Sequence, residues 1–406
     1  MTEAIQERDP ITPLVSRYFE IQQIVPGGGR YPFVTRYSGR LTMDSEKAHA
    51  GLSKDLKPHK LTPIFLEDRG QQVIQVVPSP PKQRASNPWI NLIFFLLTLV
   101  SMLIAGVLYG YEGPQPEGLS VLLNLLLGNL GAGLPFAVSL LAILLAHEFG
   151  HYLAARYHKT AVTLPYFLPF PLSPFGTLGA FIQLKEPPRN KRVLFDIGIA
   201  GPLAGLVVAI PVLLIGLSLS EVSQLPTFLR AGEAYSLEGN SIIYLVAKYL
   251  VHGMWLPAPA TFAGLTPLGY WLSFFFTGQP LPLGGTDVLL HPVAWAGWAG
   301  LLVTALNLIP AGQLDGGHVL YSLLGKYTRA VLPFVLAGLA VLGFFWSGWW
   351  LWVFLILLMG GNHAQPLDQI TKLDRRRIWL AIFGLILFVL VFTPIPLQVI
   401  EGPFGR

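Results

Sequence analysis

Between Trp89 and Leu397 the sequence holds seven stretches that are almost wholly apolar, and the first, Trp89 to Tyr109, runs 21 residues without a charged side chain. Roughly 20 such residues span about 30 Å of hydrocarbon as a helix, and in lipid only helices and closed barrels satisfy their own backbone hydrogen bonds. The other stretches are Leu134 to Tyr157, Phe195 to Ser218, His291 to Ile309, Ala330 to Trp346, Trp349 to Gly361 and Ile378 to Leu397. Gly118 to Ala132 is apolar but short and interrupted by Gly and Asn, so it is expected to lie at the interface or to re-enter. Only 12% of the 406 residues are charged, against about 25% in an average soluble domain, too few to build a water-facing surface. The expected fold is an all-α polytopic membrane protein of about seven transmembrane helices, with a re-entrant β-like loop and a small N-terminal α/β soluble module.

The charges are unevenly spread. Residues 1–87 carry 12 of the 27 Lys and Arg and 9 of the 22 Asp and Glu. We divide the chain into a cytoplasmic module (1–77), a Pro-rich linker (78–88, with Lys82 and Arg84) and a transmembrane domain (89–406). Within the module, Tyr31 to Leu41 reads as a strand, and Asp44 or Ser45 caps a helix that Pro58 stops after Leu56. Thr62 to Leu66 and Gln71 to Val77 read as a strand pair around Asp68-Arg69-Gly70. Glu3, Glu7 and Asp9, with no apolar run beside them, are not expected in a secretory signal or an acid-poor transit peptide. With seven crossings and a cytoplasmic N-terminus, 24 of the 27 Lys and Arg fall inside. Letting Gly118 to Ala132 cross would give 15 against 12 and discard the positive-inside bias. The absence of cysteine excludes disulfides, thiolate zinc sites and thiol nucleophiles. Basic loops at a membrane face explain the net charge of +5 without a nucleic-acid partner.

In the second stretch lies His147-Glu148-Phe149-Gly150-His151. Residues four apart share one helix face, so His147 and His151 can direct ring nitrogens at one metal ion about 2.0–2.1 Å away. Glu148, beside them, is placed to accept a proton from a water that the metal acidifies, for attack on a carbonyl. Three ionisable groups in a spanning helix are costly unless they function. Zinc ordinarily takes a third protein ligand. Candidates are Asp315 and His318, in a segment running from Asn307 through Pro310 to Asp315-Gly316-Gly317-His318, and His363 in a polar loop. Asp315 reads first as a ligand and, in the alternative, as the N-cap of the helix that follows it.

Leu164 to Ile182 is apolar, Pro-rich and aromatic, and alternates around Gly176, Gly179 and Ala180. It is too broken for a helix, and it reads either as a re-entrant hairpin lining a wet cavity or as a loop on the membrane face. The edge of such a hairpin could pair with an unwound substrate strand. Gly198, Gly201, Ala204 and Gly205 form a small-residue face suited to close helix packing. Arg375 to Arg377 reads as a topology anchor. The external segment of residues 219–290 is rich in Pro and Gly and carries no motif.

His147-Glu148-x-x-His151 in a spanning helix, followed by Asn307-x-x-Pro310-x-x-x-x-Asp315-Gly316-Gly317, resembles the site-2 protease family of intramembrane zinc metalloproteases. The likeness extends from about Trp89 to the C-terminus. It is strongest to the EGY-type branch of plastids and cyanobacteria, through Pro169-Phe170-Pro171, Gly176-Thr177-Leu178-Gly179-Ala180, the run from Phe195-Asp196 to Ala204-Gly205, and His291-Pro292. That branch has a Gly-Asn-Leu-Arg motif where this chain reads Ser38-Gly39-Arg40-Leu41, a partial match. The resemblance implies one Zn2+ held by His147, His151 and Asp315, with Glu148 as catalytic base and Asn307, Gly176 and Gly179 near substrate or the oxyanion. It also implies transmembrane protein substrates in a bacterial plasma or thylakoid membrane. The expected function is intramembrane proteolysis; the alternative from another class is a metal-binding membrane transporter or non-proteolytic scaffold.

Overall fold

The computed structural model describes residues 10–28, 31–80, 87–111, 113, 118–230, 234–359 and 365–401. Lys82, Arg84, His363 and the end of the stretch Trp349 to Gly361 lie outside the described residues.

The N-terminal part is a four-stranded antiparallel sheet, ordered β1–β2–β4–β3, with a helix packed on it. Its strands are β1 (Phe19–Gly28), β2 (Tyr31–Leu41), β3 (Leu61–Asp68) and β4 (Gln71–Pro78). Helix α1 (Ser45–Leu56) starts where the Asp44 carboxylate accepts from Lys47 N–H at 3.3 Å, and it buries Ala48, Leu52 and Leu56 on one face. Sequence reading did not find β1, whose central Gln22-Gln23 and late Pro26-Gly27-Gly28 break the apolar alternation. This sheet does not stop at β3. Phe65 N–H donates to the Leu367 carbonyl (2.8 Å) and Gln369 N–H to that of Phe65 (2.9 Å), while Leu367 and Asp368 N–H reach the carbonyls of Pro188 and Arg189. Two short segments from the apolar part thus extend the sheet to Asn190, the cap of the next long helix.

The rest of the chain is mostly helical. Helices α2 (Pro88–Tyr109), α3 (Leu119–Gly128), α4 (Leu134–Tyr157) and α5 (Lys191–Ser218) come first. Strands β5 (Tyr166–Pro169) and β6 (Thr177–Phe181) form a hairpin between α4 and α5. Residues 219–290 contribute β7 (Glu221–Gln224), β8 (Ala234–Glu238), α6 (Ile242–His252), α7 (Pro267–Thr277) and β9 (Thr286–Leu289). Helices α8 (Pro292–Asn307), α9 (Asp315–Leu324), α10 (Thr328–Gly343), α11 (Gly348–Met359) and α12 (Arg375–Val391) follow, then β10 (Leu397–Glu401).

Four described helical stretches are long and apolar enough to cross a membrane: α2, Leu130–Tyr157, α5, and Asp315–Gly343, in which a 3-10 turn at Gly325–Tyr327 joins α9 to α10. The stretch Ile378 to Leu397 differs from expectation. Its helix begins at Arg375, because the Asp374 carboxylate caps Arg377 N–H, and ends at Val391, because Pro394 and Pro396 cannot continue it. The chain beyond turns into β10, which pairs with β8. Gly118 to Ala132 folds into the ten-residue α3 and a 3-10 turn.

At the core, α4, α5 and α8 pack closely. Gly150 on α4 abuts the Ala200 carbonyl on α5, Gly297 on α8 abuts the Leu213 backbone, and Gly300 abuts Ile143. Helix α8 is buried on nearly every side. The segment of residues 219–290 closes one end of this bundle. Lys248, fully buried, lies 3.9 Å from Glu238 and 3.7 Å from Asp287, and the Trp298 indole N–H donates to the Gly239 carbonyl at 2.8 Å.

Candidate active site

Helix α4 presents His147 and His151 on one face, their ring centroids 4.9 Å apart, and both are buried. The face they occupy looks onto α5, where the small residues matter. A methyl group on residue 201 would stand 2.0 Å from His151 Nε2, and one on residue 205 would stand 3.2 Å from His147 Nδ1. The small-residue face of α5, read from the sequence as helix packing, is therefore also the recess that holds the two imidazoles. The backbone fixes one ring directly. His151 Nδ1 is 2.7 Å from the Ile197 carbonyl, an acceptor, so Nδ1 carries the proton and donates, leaving the Nε2 lone pair free to ligate.

Asp315 arrives from 164 residues beyond His151 and several elements away. It is the first residue of α9; Leu314 is the capping position, and no side chain caps the helix there. The Asp315 carboxylate instead places Oδ2 at 3.3 Å from His147 Nε2 and 3.2 Å from His151 Nε2. Gly316 and Gly317 permit this approach, since a Cβ at either would come within 2.0 and 2.5 Å of backbone oxygens of Leu308 and Gly312. Among the described residues, His147, His151 and Asp315 form the group of three or more His, Asp or Glu whose donor atoms converge to within 4.8 Å. His318 is not in it.

The donor set tests the fit of a metal. Three ligand atoms each about 2.0–2.1 Å from one tetrahedral centre stand about 3.3–3.4 Å apart. The three separations here are 3.1, 3.2 and 3.3 Å. Two imidazoles and a carboxylate at that spacing match the donor chemistry and size of zinc.

Glu148 is 4% exposed and interacts electrostatically with both imidazoles and Asp315. Asn307, the last residue of α8, brings its amide Nδ2 to 3.3 Å from His147 Nε2. Gly176 and Gly179 stand apart from these residues in the β5–β6 hairpin. Gly176 (φ +72°) packs against Ser101 and Met102 of α2, and a Cβ on Gly179 (φ +102°) would meet nothing within 4 Å. The hairpin is held on α2 by Asn91, whose amide donates to the carbonyls of Leu164 and Pro165, and by Ser101, whose hydroxyl donates to the Gly176 carbonyl.

Two features escaped sequence reading. The Ile197 carbonyl has no side-chain signature. Beside it, Asp196 bonds His158 at the end of α4 (2.8 Å) and the Arg377 guanidinium on α12 (2.6 and 2.8 Å), tying three helices one residue from that carbonyl. A lone acid near the start of an apolar helix was the available signal.

The model of peptidase family M50 matches residues 135–345. Among curated relatives, a probable zinc metalloprotease EGY1, chloroplastic, from Arabidopsis thaliana is 31% identical over 75% of this chain and 53% of its own length. The Oryza sativa protein of that name is 32% identical over 63% of this chain and 41% of its own. A probable zinc metalloprotease EGY2, chloroplastic, from Arabidopsis is 31% identical over 65% of this chain and 42% of its own. The chain thus spans about half the length of these relatives. No solved structure matches. The family match covers just over half of the sequence and takes in every donor of the buried cluster, and the chain therefore belongs to peptidase family M50, the site-2 proteases.

Proposed function

We propose that the chain is an intramembrane zinc endopeptidase that hydrolyses peptide bonds of transmembrane protein substrates near the cytoplasmic face. The observation that carries this reading is the tetrahedral spacing of His147 Nε2, His151 Nε2 and Asp315 Oδ2 with Glu148 buried beside them. Family membership and the printed names of the relatives support it. His147, His151 and Asp315 would hold a zinc ion, which would supply polarisation of a carbonyl and a lowered pKa of water.

The protein's own groups do the rest. Glu148 takes a proton from the attacking water as its oxygen bonds to the scissile carbon, and returns it to the leaving nitrogen as the C–N bond breaks. Ile197 keeps His151 in the ligating tautomer. Asn307, at the mouth of α8, donates its amide N–H to the developing oxyanion. A substrate helix has its peptide groups already bonded, so it must unwind first; the hairpin edge supplies replacement partners.

We further propose seven crossings, with α8, α11 and α12 joining the four long stretches and with the N-terminus cytoplasmic. In this arrangement residues 1–77 form the module and 89–406 the membrane domain. The hairpin re-enters: its Gly176 lies against Ser101 and Met102, midway along α2, and so at depth if α2 spans. A membrane location follows from the apolar helices, and relatives named chloroplastic favour a thylakoid-like membrane or its bacterial counterpart.

Replacing Glu148 with Gln tests the chemistry. Zinc content should be unchanged while cleavage of a membrane-helix substrate falls by at least about 100- to 10,000-fold; proteolysis at the native rate would overturn the mechanism. Asp315→Ala should lower zinc content, and full stoichiometry would remove Asp315 from the ligand set. Zinc flux into vesicles without any cleavage would favour the transporter reading. A reporter inserted after Lys185 that reads the external side would overturn the topology.

A further inference from the structure

On the side where the module meets the helices, away from the metal donors, there is a cavity of about 470 Å³. Four basic side chains line it. Lys191 is the first residue of α5, Lys326 and Arg329 flank the α9–α10 junction, and Lys372 precedes α12. Glu67, at the end of β3, is the one acid among the described lining residues. Of the neighbouring acids, Asp68 pairs with Arg36 and also interacts electrostatically with Lys326, and Asp368 accepts from Ser45 and Thr371 and interacts electrostatically with Lys191. Among the described residues, none of the four cations has a carboxylate within 4.0 Å.

Gathering four like charges around one cavity is unfavourable unless an anion sits among them. Two helices, α5 and α12, begin at this cavity and bring the positive ends of their dipoles to it, against the C-terminal end of α9, which runs on through the 3-10 turn into α10. Leu323, Leu373 and Ile378 give it an apolar floor, and below Arg329 the outer face of α10 is open, with Phe334 79% exposed. From the sequence, Lys326, Arg329 and Lys372 were ordinary inside-positive residues. The fold collects them into one site.

We propose that this cavity binds a phosphate-bearing anion at the cytoplasmic membrane surface, the cations holding the phosphate and the apolar floor receiving what is attached to it. The apolar floor and the open face of α10 favour the headgroup of an anionic lipid over a soluble phosphate. The site is distinct from the metal donors and its test does not depend on peptide hydrolysis.

The full chain would be reconstituted in phosphatidylcholine nanodiscs with and without phosphatidylglycerol, and its melting temperature and retained lipid measured, the latter by native mass spectrometry. A parallel arm adds sodium phosphate to the detergent-solubilised protein at constant ionic strength. Phosphatidylglycerol should raise the melting temperature and be retained. Lys326→Gln/Arg329→Gln/Lys372→Gln, all at exposed positions, should weaken its retention at least about tenfold, whereas Arg375→Gln/Arg376→Gln, outside the cavity on the same face, should leave it within about twofold. Glu67→Gln should tighten retention. A stabilisation by sodium phosphate alone, lost in the triple variant, would assign the site to a soluble phosphate. Equal behaviour of the triple variant and the native chain in both arms overturns the proposal, as does an equal loss in the Arg375/Arg376 variant.

Discussion

At residue 201 the absence of a side chain is what makes the site possible. A Cβ there would overlap the His151 ring, with all the nearest atoms belonging to that imidazole. The ring cannot swing away without breaking the 2.7 Å contact of Nδ1 with the Ile197 carbonyl. Gly201→Ala should therefore lower zinc affinity by about 10- to 100-fold, the range seen when the support of a metal ligand is disturbed, while the chain still inserts; zinc titration of the purified variant checks it. Gly205→Ala, whose methyl would meet His147 at 3.2 Å, should cost less. The site was only partly legible at this scale. His147, Glu148 and His151 were readable because one helical turn places them. Asp315 was readable only as ligand or cap, because a choice between them depends on which helix end faces α4. The Ile197 carbonyl was invisible, since every residue has one.

Among the elements, the β5–β6 hairpin shows how a broken apolar pattern becomes structure. The alternation around Gly176 and Gly179 was legible, and strands formed there; the partner was not, because nothing in the sequence of α2 marks Asn91 and Ser101 as donors to a distant hairpin. They are instead the donors that hold the hairpin. The two glycines do different work. Both have positive φ, which disfavours any side chain by about 1 kcal/mol. Only at 176 would a methyl also collide, 2.5 Å from the Ser101 carbonyl oxygen. Gly176→Ala should thus destabilise by roughly 2–4 kcal/mol, strain and overpacking together, and Gly179→Ala by about 1 kcal/mol. Melting temperatures of the two variants in one detergent give the comparison, and equal shifts would show that the collision is relieved by movement of the hairpin. Helix limits were least legible where the chain leaves the core: composition suggested that apolar Phe392 to Leu397 continue α12, but two prolines and pairing with β8 redirect them into β10.

For the whole molecule, the charge distribution suggested an N-terminal module apart from the apolar helices, but it gave no sign of how the β1–β4 sheet joins the rest of the chain. That join depends on Asp368, fully buried in a short polar stretch, whose carboxylate accepts from Ser45 Oγ and Thr371 while its backbone bridges β3 to Asn190. His49 sits at this seam on α1, its Nε2 3.1 Å from the Pro63 carbonyl and its ring edge-on to Phe65. Burial holds its pKa below the ordinary 6.5, and Arg189 pushes the same way, against Asp368 and the Pro63 carbonyl, which favour the charged form. The folded chain therefore keeps His49 neutral at a pH where the unfolded chain protonates it. The resulting stability is fully present above pH 6.5 and is lost as pH falls through 6.5 toward the lower folded value. Between about pH 7.5 and 5.5, the protection of amides in β3 and Leu367–Gln369, taken relative to the intrinsic exchange rate at each pH, should fall, while that of the α4–α5–α8 core stays constant. His49→Gln, which cannot take up the proton, should abolish the difference. Protection that falls equally in the variant would move the pH dependence to another group at the seam.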